Sequence, residues 1–152
     1  MVIKKKKNKK ATVFKSEGSL HIVKENERQS KGELAIRTLA MPADTNPSGD
    51  IFGGWVLSQM DIAGGILSKE LAKGRTVTVA VNGMTFHRPV LVGDVLCVYG
   101  EMLKIGNTSL TIKLEAWVKR ELGSDRILVT EGVFTYVAVD ETRRPRQVTI
   151  SK

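Results

Sequence analysis

With one cysteine in 152 residues, Cys97, the chain has no intrachain disulfide and no zinc site built from several thiolates. That usage fits a reducing compartment, and a cytoplasmic protein is expected. The two histidines, His21 and His87, show no ligand spacing with other His, Cys or carboxylate residues, so no metal site is expected either. No apolar run approaches the ~18 residues of a membrane-spanning helix. The basic residues 4–10 run into residues 11–18, not into the apolar stretch of a signal peptide. Phosphate-loop and dinucleotide fingerprints are missing, as is a serine in a nucleophile elbow. Aromatic residues, at 5%, are sparse and read as core.

Acidic residues are outnumbered 16 to 24 by Lys and Arg, giving a formal charge of +8. Six of those charges sit on residues 4–7, Lys9 and Lys10, which leaves about +2 for the rest. A short terminal lysine block reads as a solvated tail, with a weak role toward an anionic partner as the other reading. Nucleic acid is not expected as a partner. At 41% hydrophobic and 26% charged residues, the chain can bury a core of one domain. That core is small enough for an oligomer to be unsurprising.

Residues 1–32 are polar and low in pattern and read as a flexible basic arm. Leu34, Ile36, Leu39 and Met41 suit a first strand over residues 33–41 that changes face partway. Residues 42–52, PADTNPSGDIF, are dense in turn and cap residues, and Asp50 is positioned to cap a following helix. From Gly54 to Lys73 the period is helical: Val56, Met60, Ala63, Leu67 and Leu71 recur at steps of four and three. Ser58, Asp61, Gly65, Ser68 and Lys69 share the remaining narrow polar arc, and Gly74 is a plausible stop.

The remainder reads as strands. Residues 76–90 start with Val77, Val79 and Val81 inward and change phase at Met84, which predicts a bulge near Asn82-Gly83. Residues 95–105 form another strand. Leu110, Ile112, Leu114, Ala116 and Val118 alternate strictly with polar neighbours and predict a strand with one covered face. Residues 127–139 make the last strand, and residues 141–152 read as a polar tail. Short connections predict antiparallel neighbours, and one apolar helix predicts a sheet wrapped around it.

Two features could carry chemistry. The pair Gly53-Gly54 would open the helix with unhindered backbone N–H groups at the positive end of its dipole, where a developing oxyanion could be held. Glycine pairs also serve close packing, and spacing alone does not choose. Asp61, two turns in, is either a solvated residue or a carboxylate beside a dry cleft that acts as base or nucleophile. Gln59 falls in the apolar arc and needs a partner, across a subunit contact or in a cleft.

From residue 32 to residue 139 the chain resembles a known family. RTLAMPADTN, GDIFGGWVLSQMD, GRTVTVAV, VGDV and AWVKR occur in the order found in the hotdog-fold acyl-CoA thioesterases of the bacterial YciA type. These are related to the two-domain brain acyl-CoA hydrolases. The resemblance implies an α+β hotdog domain over residues 33–140, with an antiparallel sheet of five to six strands around one long central helix. It also implies a homodimer at minimum, with sheets joined edge to edge, and a homohexamer as a trimer of dimers.

By the same resemblance Asp61 is the catalytic carboxylate, and Asn46 is contributed by the opposite subunit. The N–H groups of Gly54 and Gly53 form the oxyanion hole. Ser58, Gln59, Arg75, Arg88, Lys104 and Ser109 are candidate substrate contacts, the cations for the phosphates of coenzyme A. Asp44 and Asp50 would shape the loop. Where family members read KVGRSS, residues 104–109 read KIGNTS, so an arginine is missing at Asn107. No cofactor is implied, because coenzyme A is part of substrate and product. The contrasting reading is a non-catalytic acyl-CoA or nucleic-acid-binding hotdog module.

Overall fold

The computed structural model describes residues 12–16 and 19–23 by their backbone, and residues 30–121 and 125–150 in full. The lysine block of residues 4–10 and most of the arm lie outside the described residues. Within the stretch read as an arm, β1 (Thr12–Ser16) and β2 (Ser19–Val23) pair antiparallel, with Ser16 opposite Ser19.

The domain consists of β3 (Glu33–Leu39), α1 (Gly53–Ala72), β4 (Thr76–Phe86), β5 (Val95–Ile105), β6 (Ser109–Lys119) and β7 (Ile127–Ala138). The five strands form one antiparallel sheet in the order β3-β5-β6-β7-β4, and α1 packs against all five. This is the helix-wrapping sheet that the resemblance implies. Val56, Met60, Ala63 and Leu67 form the buried face of α1, against Leu96, Val98, Ile112, Leu114 and Phe134 of the sheet. None of these residues is more than 7% exposed.

Short connections make sequence neighbours pair for β5, β6 and β7, but not for β4, which sits at the far edge beside β7. Residues 87–94 then carry the chain across to β5. Eight extended residues reach about 26 Å, whereas three strand spacings amount to roughly 14 Å, so the crossing needs no further element.

Strand β4 carries two register shifts. The predicted bulge lies between Asn82 and Thr85, with Gly83 at φ +62°. A second, between Thr78 and Ala80, inserts Val79 as an extra residue. Val77 is therefore opposite Val137 on the outer face and Val81 opposite Phe134 on the inner one, so the three valines do not share the inward face expected of them. They are exposed, Val79 by 56%, while the hydroxyls of Thr76 and Thr78 face the helix. On β6 the inner face is covered as predicted, but Glu115 and Trp117 on the outer face are buried too. There Trp117 Nε1 donates to Glu115 Oε2 at 3.0 Å, and the Arg126 guanidinium lies over the Trp117 ring.

The end of α1 also differs from expectation. Lys73, not Gly74, takes the left-handed conformation, at φ +49°. At Gly74 the guanidinium of Arg146 lies close by: a Cβ there would be 2.6 Å from its Nη2. That guanidinium donates to Ala72 O at 2.8 Å and to Val139 O at 3.2 Å, satisfying a helix-end carbonyl with a cation where the dipole favours one. Residues 141–148, read as part of a polar tail, thus pack at the end of the sheet. Val148 packs with Ala72 and Leu110 and donates its N–H to Asn107 O.

Candidate active site

The loop before α1 is built by side chains that mimic backbone. Asp44 Oδ2 accepts the Met41 N–H at 3.0 Å around a 3₁₀ turn (Pro42–Asp44). Asn46 Oδ1 accepts the N–H groups of Ser48 (2.9 Å) and Asp50 (3.2 Å). Loop shaping was expected of Asp44 and Asp50, yet Asn46 does it alongside Asp44. Its amide nitrogen is left as the end available to another group. Nor does Asp50 cap the helix: the N-cap is Phe52, with no side-chain cap. The Gly53 and Gly54 N–H groups precede the first helical bonds, which run from Trp55 and Val56 to Phe52 O. A helix start of this kind presents uncapped donors at the positive end of the dipole.

Asp61 is half-buried on the side of α1 that faces β4 and β7. Thr78 donates its hydroxyl to Asp61 Oδ1 at 2.6 Å. The Tyr136 hydroxyl lies 3.1 Å from Asp61 O and 3.3 Å from Oδ1. Thr78 and Tyr136 are cross-strand partners, so one rung of the β4–β7 ladder delivers both groups. Tyr136 reaches the helix because Gly64 has no side chain, since a Cβ there would fall on its phenol oxygen. Burial, and then the Asp61 charge, push the Tyr136 hydroxyl well above the usual tyrosine range, so it remains a protonated donor.

These groups line a cleft of about 510 Å³ together with Gly65, Lys69 and Arg75. The cleft therefore places two cations beside one carboxylate. Two turns further along α1, Ser68 and Thr76 share a 2.7 Å hydroxyl contact. The polar arc of the helix is thus only partly solvated: Ser68 is fully buried and Asp61 half-buried on the side of the edge strand, while Ser58 and Lys69 are exposed.

Of the residues expected at the site, Asp61 and Arg75 meet in this cleft. Gly53 and Arg88 line a separate hollow of about 300 Å³ with His87, whose Nε2 is 3.7 Å from Glu131. Ser58 is exposed and donates to Trp55 O, and Gln59 is half-buried. Lys104 and Ser109 flank the β5–β6 turn, near the C-terminal end of α1. Sequence reasoning missed Thr78, Tyr136 and Gly64 as site residues, and took Lys69 only as part of the polar arc. The one local signal was a phenol in the inward row of β7, between Phe134 and Ala138, where a hydroxyl requires a partner. Among the described residues, no group of three His, Cys, Asp or Glu could hold a metal, and no helix is long and apolar enough to cross a membrane.

Known proteins resemble this chain in sequence and in fold. Residues 48–123 match the family described as the thioesterase superfamily. The chain is 58% identical over 123 residues to the acyl-CoA thioester hydrolase YciA of Salmonella typhimurium, covering 79% of this chain and 92% of that one. A hexameric, broad-specificity acyl-coenzyme A thioesterase superposes with a TM-score of 0.78 at 55% identity, over 84% of this chain and 88% of that one. The hexameric thioesterase y2039 of Yersinia pestis gives a TM-score of 0.77 at 57% identity, over 81% of this chain and all of that one.

Proposed function

The chain belongs to the thioesterase superfamily, and from that premise we propose that it is an acyl-CoA thioester hydrolase working at sites shared between two subunits. It releases a free acid and coenzyme A. The observation that carries this reading is Asp61, a half-buried carboxylate held on one oxygen in a cleft that also contains Lys69 and Arg75.

Helix geometry argues for the sharing. Gly54 and Asp61 are seven residues apart on α1, so at 1.5 Å per residue they stand roughly 10 Å apart along the axis. A thioester carbonyl needs its oxyanion donors and its attacking group each within about 3 Å. One chain's Gly54 and Asp61 therefore fall short of a common carbonyl. Asp61 comes from one subunit, and the helix start comes from its partner. Asn46 travels with that helix start, because Phe52 N–H bonds Asp44 O and Asn46 N–H bonds Asp50 O within one loop. With its Oδ1 occupied, Asn46 offers N–H to the substrate carbonyl rather than an acceptor to water.

In the direct route Asp61 takes a proton from water, the hydroxide oxygen bonds to the carbonyl carbon, and the C–S bond breaks. Gly53 and Gly54 N–H groups hold the intermediate oxyanion. Coenzyme A leaves as a thiolate, so no dedicated acid is required. In the other route Asp61 attacks the carbonyl itself, and water then hydrolyses the mixed anhydride. Arg75 and Lys69 suit the coenzyme A phosphates, and no cofactor enters the reaction. The exposed Val77, Val79 and Val81 of the edge strand β4 support a dimer, and the hexameric relatives support a trimer of such dimers. A cytoplasmic setting fits a coenzyme A substrate.

The test is thiol release from acyl-CoA substrates of graded chain length, comparing the intact protein with Asp61→Asn. Hydrolysis that falls by about a hundredfold or more, the scale of losing a general base, is the expected result. Equal rates in both proteins would remove Asp61 from the reaction. A folded oligomer that binds acyl-CoA and releases no thiol would make the protein a binding module.

A further inference from the structure

We infer that Thr78 and Tyr136 act together as a clamp on Asp61, fixing Oδ1 and the adjoining backbone carbonyl so that Oδ2 alone is presented to the substrate, with Tyr136 as a positioning residue. The inference rests on the reading of Asp61 as the reacting carboxylate and adds what holds it in place. Four independent features converge on it. Thr78 Oγ1 is 2.6 Å from Oδ1. Both acceptors near the Tyr136 hydroxyl, at 3.1 and 3.3 Å, belong to Asp61, so its one proton pins this residue whichever it bonds. The extra residue Val79 follows Thr78 directly, and the register shift sets Thr78 opposite Tyr136 on the side facing the helix. Gly64 opens the space that the phenol occupies.

The clamp has a chemical consequence. A carboxylate on a helix surface rotates freely about its last bond, and an attacking group misplaced by an ångström loses much of its rate. Thr78 restrains that rotation at Oδ1, and Tyr136 on the same ladder rung holds the residue at Oδ1 or at its backbone carbonyl. Among the described residues Oδ2 accepts no hydrogen bond, so it is the oxygen left for water or for the thioester carbon. Tyr136 itself does not take part as a base: buried beside a carboxylate, it keeps its proton.

The test has an enzymatic arm and a spectroscopic arm. Tyr136→Phe is expected to lower kcat about tenfold, the scale of one hydrogen bond to a charged group, with KM changed less than about twofold. Thr78→Val should do the same and Thr78→Ser should restore the rate, which a purely structural role would not produce. The spectroscopic arm uses the fact that the chain has two tyrosines. In a Tyr99→Phe background, phenolate absorbance after a rapid pH jump reports Tyr136 alone. Adding Asp61→Asn should bring its ionisation down toward the ordinary range. Unchanged kcat in Tyr136→Phe, while Asp61→Asn is inactive, would overturn the clamp and leave the thioesterase reading intact. An unaltered Tyr136 titration in Asp61→Asn would overturn it as well. If the intact protein hydrolyses no thioester, the proposed function fails by itself, and the titration still decides whether the contact exists.

Discussion

Gly64 and Gly65 are adjacent on α1, and alanine at each should move stability in opposite directions. Glycine inside a helix costs about 0.5–1 kcal/mol relative to alanine. At Gly65 an added Cβ meets nothing within 4 Å, so Gly65→Ala should recover that amount. At Gly64 the same methyl would land on the Tyr136 hydroxyl and lie 2.6 Å from Cζ and 2.8 Å from Cε2. The ring is 1% exposed and stacked beside Phe134, so it moves aside only by disturbing that packing. Overpacking of this kind costs about 1–3 kcal/mol, and the displaced hydroxyl gives up a hydrogen bond worth roughly 1 kcal/mol. Against the helical gain, Gly64→Ala should come out about 1–3 kcal/mol less stable than the parent. Urea denaturation at matched protein concentration reads the difference, since oligomer stability depends on concentration. Tyr136→Phe added to Gly64→Ala removes the worst contact, so the double variant should cost less than the sum of the two singles. Gly64→Ala at least as stable as Gly65→Ala would refute the packing argument.

Three further outcomes follow from groups away from the reacting carbonyl. Asp94 is 1% exposed, and Arg120 bonds both its oxygens at 3.1 Å, so Arg120→Met should cost about 2–4 kcal/mol by leaving a buried carboxylate with only the Leu91 N–H; denaturant midpoints measure it. Tyr136 has its ionisation raised on folding, so its contribution is intact below the unfolded value of about 10 and is lost as pH rises beyond it. Alkaline unfolding curves of the parent should therefore fall more steeply above that point than those of Tyr136→Phe. Asp140 shows the opposite sign. The N–H of Arg144 and the hydroxyl and N–H of Thr142 hold its carboxyl below the usual range, so its contribution is present above about pH 4 and fades as pH drops through the depressed native value. Asp140→Asn should lower amide protection across residues 140–148 at neutral pH and make little difference in strong acid.

What could be read from the sequence was whatever repeats locally. The four-and-three spacing of Val56, Met60, Ala63 and Leu67 marked the helix and its buried face, though Leu71 of the same series is 43% exposed, and the alternation from Leu110 to Val118 marked β6. The errors occur where the environment of a residue is set by a distant strand. Ser68 and Asp61 share a polar arc, and periodicity treats any polar arc as solvated. At Asp61 and Ser68 the arc is instead covered by β4, whose Thr76 and Thr78 supply the hydroxyls that make burial tolerable. The residues of β4 that face inward could not be read by alternation, because the extra residue Val79 breaks the phase just after Thr78. Val77, Val79 and Val81 looked like core and lie exposed on a free edge. The same cause hides half of the candidate site. Asp61 and Gly54 are neighbours in the motif, and helix rise separates them by roughly 10 Å. On the proposed reading, the chemistry that seems contiguous in the string is assembled from two chains. A strand edge bearing exposed valines beside Thr78 is therefore part of the catalytic argument, because it is the surface through which the second half of the site can arrive.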